Sequence, residues 1–382
     1  MEVSLVLAFD LIVIGLGAMG SSAAYYASLR GARVLGLEQF SPLHDRGSSH
    51  GDVRLIRKAY FEEPRYVPLL QTAYRLWDEL GSRLPSPVLH RTGLLTVAPQ
   101  SDAPGLVGAL RAAAEHHLPI EKLDTTEIRQ RFPHFTIPDP FQGVRDADGG
   151  YVEVERTLRE LTQFSIAQSA TLNFNERVLS WTYEKRVARV VTDRGTYEGA
   201  SLLLAGGSWS SQLLRTLGLP LTVCRIPQFW FDAPDTYSEA SGFGCFAFDL
   251  PEGFYYGFPQ RAGLGLKVAE YRPPGAEIES PDVVDRGVTS TDARRVQAFV
   301  GKYLPAVNAE SWRGKTCLYT LSPDENFIID RLDSGLVFAA GFSGHGFKFA
   351  PVVGEYLADL ALGGLPRPEF DFLKRRPWKK NG

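Results

Sequence analysis

Leu11-Ile12-Val13-Ile14-Gly15-Leu16-Gly17-Ala18-Met19-Gly20, followed by a helix-forming run to Leu29 and by Val34-Leu35-Gly36-Leu37-Glu38, decides the fold. The first four residues are apolar and mostly β-branched, which suits a parallel strand buried on both faces. Gly15, Gly17 and Gly20 form a GxGxxG. The first glycine permits the tight turn, the second lets backbone approach a pyrophosphate, and the third lets helix pack on strand. The helix beginning near Ala18 and Met19 then turns free N–H groups and a positive dipole end toward phosphates. Glu38 ends the second strand, 21 residues past Gly17. A carboxylate there accepts ribose hydroxyls and repels a 2′-phosphate. The stretch predicts an adenine dinucleotide and leaves NAD and FAD both open.

Outward from this unit, Gln39–His50 reads as a loop. Helical spacing of Leu69, Leu70, Ala73, Leu76, Trp77 and Leu80 predicts a helix over 66–80, and others are expected over 105–117 and 154–167. Val187–Thr192 and Tyr197–Gly199 read as a hairpin. Leu202–Leu204 reads as a buried strand running into Gly206-Gly207, where a large ring system can approach backbone. From about 220 to 318, aromatic residues in alternation predict a larger antiparallel sheet. Late in the chain, Gly335–Ala340 is strand-like, Gly341-Phe342-Ser343-Gly344-His345-Gly346 is a second glycine turn, and 351–362 is helical. A helix end there could face a flavin pyrimidine, where negative charge builds on reduction. An NAD dehydrogenase needs no such second turn, so FAD is favoured.

Composition limits the remaining classes. At 382 residues two domains are expected. Lys and Arg number 41 against 44 Asp and Glu, a net of −3, so no nucleic-acid partner is expected. Cys224, Cys245 and Cys317 are too few for a disulfide framework, which points to a reducing, cytoplasmic setting. The apolar N-terminus is interrupted by Asp10 and leads into the glycine motif, so it reads as a buried first strand rather than a signal peptide. No apolar run reaches about 18 residues, so no membrane span is expected. The basic tail from Lys374 to Lys380 reads as a solvated, frayed end. The histidines are scattered, and no metal site is expected.

Several stretches resemble the monomeric sarcosine oxidase family, which includes N-methyltryptophan and pipecolate oxidases. They are Gly15–Gly20, the run Gly47-Ser48-Ser49-His50-Gly51-Asp52-Val53-Arg54-Leu55-Ile56-Arg57, Tyr255-Tyr256-Gly257-Phe258-Pro259, Gly265-Leu266-Lys267, Cys317-Leu318-Tyr319, Asp324–Asp330 and Gly341–Phe349. They occur in family order across nearly the whole chain. The resemblance implies an α/β (α+β overall) chain of D-amino-acid-oxidase-like architecture. Residues 1–85, 146–219 and 319–382 would form a Rossmann-type FAD-binding domain. Residues 86–145 and 220–318 would form a substrate domain on a mainly antiparallel sheet. It also implies a monomer that oxidises secondary amino acids with dioxygen.

Roles follow by resemblance, residue by residue. Cys317 matches the cysteine bonded to the flavin 8α carbon; the plain alternative is a buried structural thiol. Arg57 and Lys348 match the pair that holds the substrate carboxylate, by fork and by point charge. His50 and Arg54 match polar groups packed near the flavin. Lys267 matches the lysine that activates dioxygen, where a fixed cation stabilises developing superoxide charge. Tyr255 and Tyr319 are expected to line the substrate pocket. Ser49, Val178, Gly206, Gly207, Trp209, Gly344, His345, Gly346 and Phe347 are expected against the cofactor. Two departures bear on the substrate: Tyr271 stands where family members commonly carry histidine, and Val53 where threonine is frequent. The loop Arg272–Asp285 is expected at the pocket mouth. A flavin dehydrogenase that avoids dioxygen, and an oxidase of bulkier N-methyl or cyclic amino acids such as pipecolate or proline, remain alternatives.

Overall fold

The computed structural model describes residues 8–261 and 263–378. The apolar start before residue 8 and the final Lys-Lys-Asn-Gly lie outside them. Leu11–Ile14 is the centre of a six-stranded sheet. The order is Ile328–Arg331, Val337–Ala340, Leu202–Leu204, Leu11–Ile14, Val34–Leu37, Thr171–Asn173, all parallel except the first, an antiparallel edge strand. Strand alternation explains why this run carries no polar residue. Leu11 and Val13 pack against the helices Ala18–Leu29 and Ala350–Ala361. Ile12 and Ile14 pack against Ala188 and Val190 of a small three-stranded sheet on the other face. Each such side chain removed from water is worth ~1.5–3 kcal/mol.

A second sheet has nine strands. Its pairs are antiparallel except Cys245–Leu250 on Leu94–Ala98, which is parallel. Trp312–Leu321 runs along Thr222–Phe231 for ten residues, and its far end is tied to the dinucleotide unit where Leu318 N donates to Gly47 O at 3.2 Å. The helix Ser290–Tyr303 covers one face of the sheet through Phe246, Phe248, Tyr255 and Phe299. A third sheet, Val53–Ile56, Gly150–Glu153 and Leu89–His90, presents Arg54.

The expected fold class is therefore what the chain adopts. We propose the domain division stated above, supported by the fact that all six strands of the first sheet fall within 1–85, 146–219 and 319–382. Two strands cross that division: Leu89–His90 pairs back with Gly150–Glu153, and Trp312–Leu321 stays paired in the second sheet past residue 318.

Three local expectations differ from the structure. Ser290–Tyr303 is a helix inside the stretch expected as antiparallel sheet; Thr289 and Asp292 close a capping box at its start. Val178–Glu184 adds a strand to the expected hairpin. Residues 374–378 are not frayed. Arg376 Nε donates to Asp324 at 2.7 Å and its Nη1 to Phe327 O at 3.1 Å, so a half-buried guanidinium anchors the tail.

Candidate functional site

An elongated cavity of about 380 Å³ runs between the two sheets. At one end are Glu38, His44, Val178 and Leu179; at the other are Arg57, Glu62, Tyr271 and Lys348. Its length and chemistry fit an extended dinucleotide. Gly15, Gly17, Ala18 and Met19 form the wall beside the helix N-terminus. A Cβ on Gly17 would project into the cavity, meeting only Ser49 Oγ at 3.4 Å. Ser49 Oγ in turn accepts from Ala18 N at 3.0 Å. Gly20 is not on the wall. A Cβ there would lie 1.7 Å from Gly15 O, so its role is to close helix onto strand. Glu38 Oε2 accepts from Leu16 N at 2.9 Å and Oε1 from Phe40 N at 3.1 Å. Each oxygen keeps a second lone pair for a ribose hydroxyl.

Gly206, Gly207, Trp209, Tyr319, Gly344, Gly346 and Phe347 continue the wall. Gly207 has φ +53 with nothing within 4 Å of an added Cβ, a cradle left open to the cavity. Trp209 Nε1 and Gln212 Nε2 both donate to Asp282, at 2.7 and 2.8 Å. The loop Arg272–Asp285 therefore reaches the nucleotide half of the cavity as well as the Tyr271 end. His345 lines the cavity with its ring fixed. Nε2 donates to the Glu325 carbonyl at 3.0 Å, so Nδ1 accepts from the Tyr60 hydroxyl. Burial pushes its pKa down to about 4 despite Glu62.

The far end concentrates buried charge. Arg57 is 6% exposed and Lys348 4% exposed. Arg57 Nη2 donates to both Glu62 oxygens at 2.6 Å, while its Nε is buried and has no partner among the described residues. Lys348 Nζ donates to His345 O at 2.8 Å. Burial, then Arg57, pushes Lys348 down to about 7, with Glu62 opposing. Burial would raise the Glu62 carboxyl, but Arg57, His345 and Lys348 outweigh it and hold it below the usual range. Phe61, Phe254, Tyr256 and Tyr271 complete this end.

Three expected residues lie behind the wall. Lys267 is 1% exposed and donates to Gly51 O at 2.6 Å and Val53 O at 2.9 Å. Val53 O also accepts from Arg54 Nη1 at 2.9 Å, so Lys267 sits directly behind Arg54, which is on the wall. Cys317 Sγ lies 3.4 Å from Arg54 Nη2 and is fully buried. His50 Nε2 is 3.1 Å from Gly47 O, and its Nδ1 is buried without a partner among the described residues. Burial, then Arg54 and Lys267, pushes His50 down to about 3. It is therefore a polar but neutral ring, and Arg54 is the charged member of the two.

Tyr255 is a correction. Its ring stacks on Phe299 at 4.5 Å inside the core of the second sheet. The next residue, Tyr256, faces the cavity, with its hydroxyl 3.1 Å from the Tyr319 hydroxyl. Successive strand residues point to opposite faces, so an assignment one residue off selects the wrong side. Glu62 and Phe61 were not foreseen at all. Their only signal is proximity to Arg57 in sequence.

A family model described as FAD dependent oxidoreductase matches residues 10–360. The chain is 38% identical over 364 residues to the monomeric sarcosine oxidase of Streptomyces avermitilis, covering 93% of this chain and 94% of that protein. It is 37% identical over 356 residues to the N-methyl-L-tryptophan oxidase of Yersinia pestis, covering 92% and 94%. Among solved structures, NikD, an unusual amino acid oxidase essential for nikkomycin biosynthesis, superposes with a TM-score of 0.84 at 25% identity over 96% of this chain and 97% of that one. With the glycine cradle, Glu38 and the second glycine turn meeting in one cavity, the chain belongs to the FAD-dependent oxidoreductase family, in its branch of monomeric sarcosine oxidases and N-methyl-L-tryptophan oxidases.

Proposed function

We propose that the protein oxidises the C–N bond of secondary, N-methyl or cyclic amino acids with dioxygen. For sarcosine, substrate, O2 and water would give glycine, formaldehyde and H2O2. One observation carries the reading. Arg57 Nε is a buried donor without an acceptor, on a guanidinium whose other edge is held by an exchangeable carboxylate. A buried N–H of this kind is costly unless a ligand satisfies it. A substrate carboxylate that takes the place of Glu62 on Arg57, with Lys348 beside it, would bring an acceptor to this group and aim the amine along the cavity toward the glycine turns.

FAD bound along the cavity would take two electrons and hydrogen from the substrate carbon and pass them to dioxygen. The chain's own groups prepare that exchange. Arg57 and Lys348 bind and orient the carboxylate. Phe61, Phe254 and Tyr271 exclude water around the amine. Tyr256 and Tyr319 hold each other's hydroxyls against the cavity. Lys267 and Arg54 supply fixed positive charge where oxygen is reduced. We further propose a thioether at Cys317, a cytoplasmic setting consistent with three free cysteines, and a monomeric state. No described helix is long and apolar enough to cross a membrane.

A second reading, an oxidase of bulkier N-methyl or cyclic amino acids, is favoured by Tyr271, which joins Phe61 and Phe254 in an aromatic wall. A panel of sarcosine, N-methyltryptophan, pipecolate and proline, with peroxide measured in air, separates these. Flavin that stays reduced in air after substrate addition would instead identify a dehydrogenase. Acid precipitation tests attachment: yellow in the pellet is expected, and yellow only in the supernatant refutes a bond to Cys317.

A further inference from the structure

Lys267 lies in the partition between two cavities. One is the long cavity, with Arg54 on its wall. The other, of about 300 Å³, is lined by Gly51, Asp52, Glu155, Trp230, Arg313 and Lys315 among others. Among the described residues no carboxylate comes within 4 Å of Lys267 Nζ, whose hydrogen-bond partners are two backbone carbonyls. A buried ammonium without a counter-charge is strongly disfavoured.

The compensation passes through one peptide group. The Gly51–Asp52 peptide gives its carbonyl to Lys267 Nζ at 2.6 Å and its N–H to Glu155 Oε2 at 3.0 Å. The N–H of Gly51 also donates to Glu155 Oε1, at 2.7 Å. An anion on the N–H and a cation on the carbonyl polarise the same amide in the same sense. The turn has the shape this requires. Gly51 has φ +84 and Asp52 φ +72, two successive residues in the left-handed region. A non-glycine residue there needs compensating contacts, and the bonds to Glu155 provide them.

We propose that Glu155 is a positioning residue for Lys267: through the Gly51–Asp52 peptide its carboxylate fixes the seat of the ammonium and keeps it charged. The inference rests on the reading of Lys267 as the cation that meets oxygen, but it concerns a residue on the far side of the partition. Burial pushes Lys267 toward the neutral amine, and Arg54 adds to this; Asp52, Cys317 and Glu155 push back. Lys315 stands at the mouth of the second cavity, and His50 packs beside Lys267 as a neutral ring. Asp52 is itself engaged by Arg261 at 2.8 Å, which also meets Glu153 at 3.2 Å. Glu155 is therefore the carboxylate whose hydrogen bonds go to the peptide that Lys267 holds.

The test uses the full-length, FAD-loaded protein and two charge changes of opposite sign. Glu155→Gln keeps an acceptor for the turn and deletes the charge; Arg261→Gln deletes a cation and frees Asp52. Two readouts follow Lys267: a pH titration of its 15N side-chain resonance, identified by its absence in Lys267→Met, and the pH profile of reoxidation of reduced enzyme by O2. E155Q should lower both midpoints by about one pH unit, and R261Q should raise them. Anaerobic reduction by substrate should stay unchanged in both. Midpoints that do not move in E155Q, or that move the same way in both variants, overturn the proposal. If Lys267→Met leaves reoxidation intact, the reading of Lys267 fails, while the resonance midpoint still decides the role of Glu155.

Discussion

Two pairs of basic side chains are buried at this cavity, Arg57 and Lys348 on its wall at one end and Arg54 with Lys267 behind it, and they are not held alike. Arg57, at the substrate end, is held by the Glu62 carboxylate and keeps one N–H without a partner among the described residues, while Lys348 beside it rests on the His345 carbonyl and meets Glu62 only through its field. Lys267 and Arg54 are seated on backbone carbonyls of Gly51, Val53 and Ser48. A side-chain carboxylate can swing away and be replaced by a ligand's. A carbonyl in a strand or pinned turn cannot. The first arrangement suits a binding site that exchanges partners; the second suits a fixed field that needs no reorganisation as charge develops. Arg57 carries the contrast, because its partner is a side-chain carboxylate, whereas Lys348, like Lys267 and Arg54, rests on backbone carbonyls.

The comparison breaks most sharply at Lys267. Lys267→Met is expected to slow reoxidation of reduced enzyme by O2 by about 100- to 1,000-fold, while anaerobic reduction by substrate changes little. Stopped-flow traces of the two half-reactions check this, and an equal loss in both would erase the distinction between the pairs. Next is Arg57→Lys. A lysine cannot reproduce the fork, so carboxylate binding should weaken by about 1.5–3 kcal/mol, roughly 10- to 150-fold in Kd. Titration with a non-oxidisable carboxylate analogue measures it, and an amine lacking a carboxylate should be indifferent.

A smaller effect concerns pH. In the free protein Lys348 is pushed down to about 7, so its cation is present below that pH and lost above it. Binding of the same analogue should therefore weaken as pH rises through about 7, and Lys348→Met should lack that step. The smallest effect on chemistry is expected at Tyr255. Tyr255→Ala should cost stability, about 3–5 kcal/mol by analogy with buried aromatics, with KM nearly unchanged. Tyr256→Phe should do the reverse, lowering turnover several-fold with little change in melting temperature.

Much of this was legible in the chain. The strand, glycine turn, helix and acid of residues 11–38 specify their own geometry through local sterics, and the second glycine turn announces itself in the same way. The identities of the cations at 54, 57, 267 and 348 came from motif resemblance. The helix Ser290–Tyr303 carried a local signal, the Thr289/Asp292 box, which the surrounding aromatic texture obscured. Tyr255 against Tyr256 had no such signal. Period two shows that neighbours face opposite ways, but not which face is covered by Phe299.

The sequence by itself determined a dinucleotide fold, because its strand, glycine turn and helix follow from contacts between near neighbours in the chain. Only the tertiary structure decided what each charge rests on. Lys267 meets carbonyls 214 and 216 residues away, and His50 is held neutral first by its dry surroundings and then by Arg54 and Lys267. Partners, burial and field are sums over atoms brought together by folding, and no spacing along the chain encodes them.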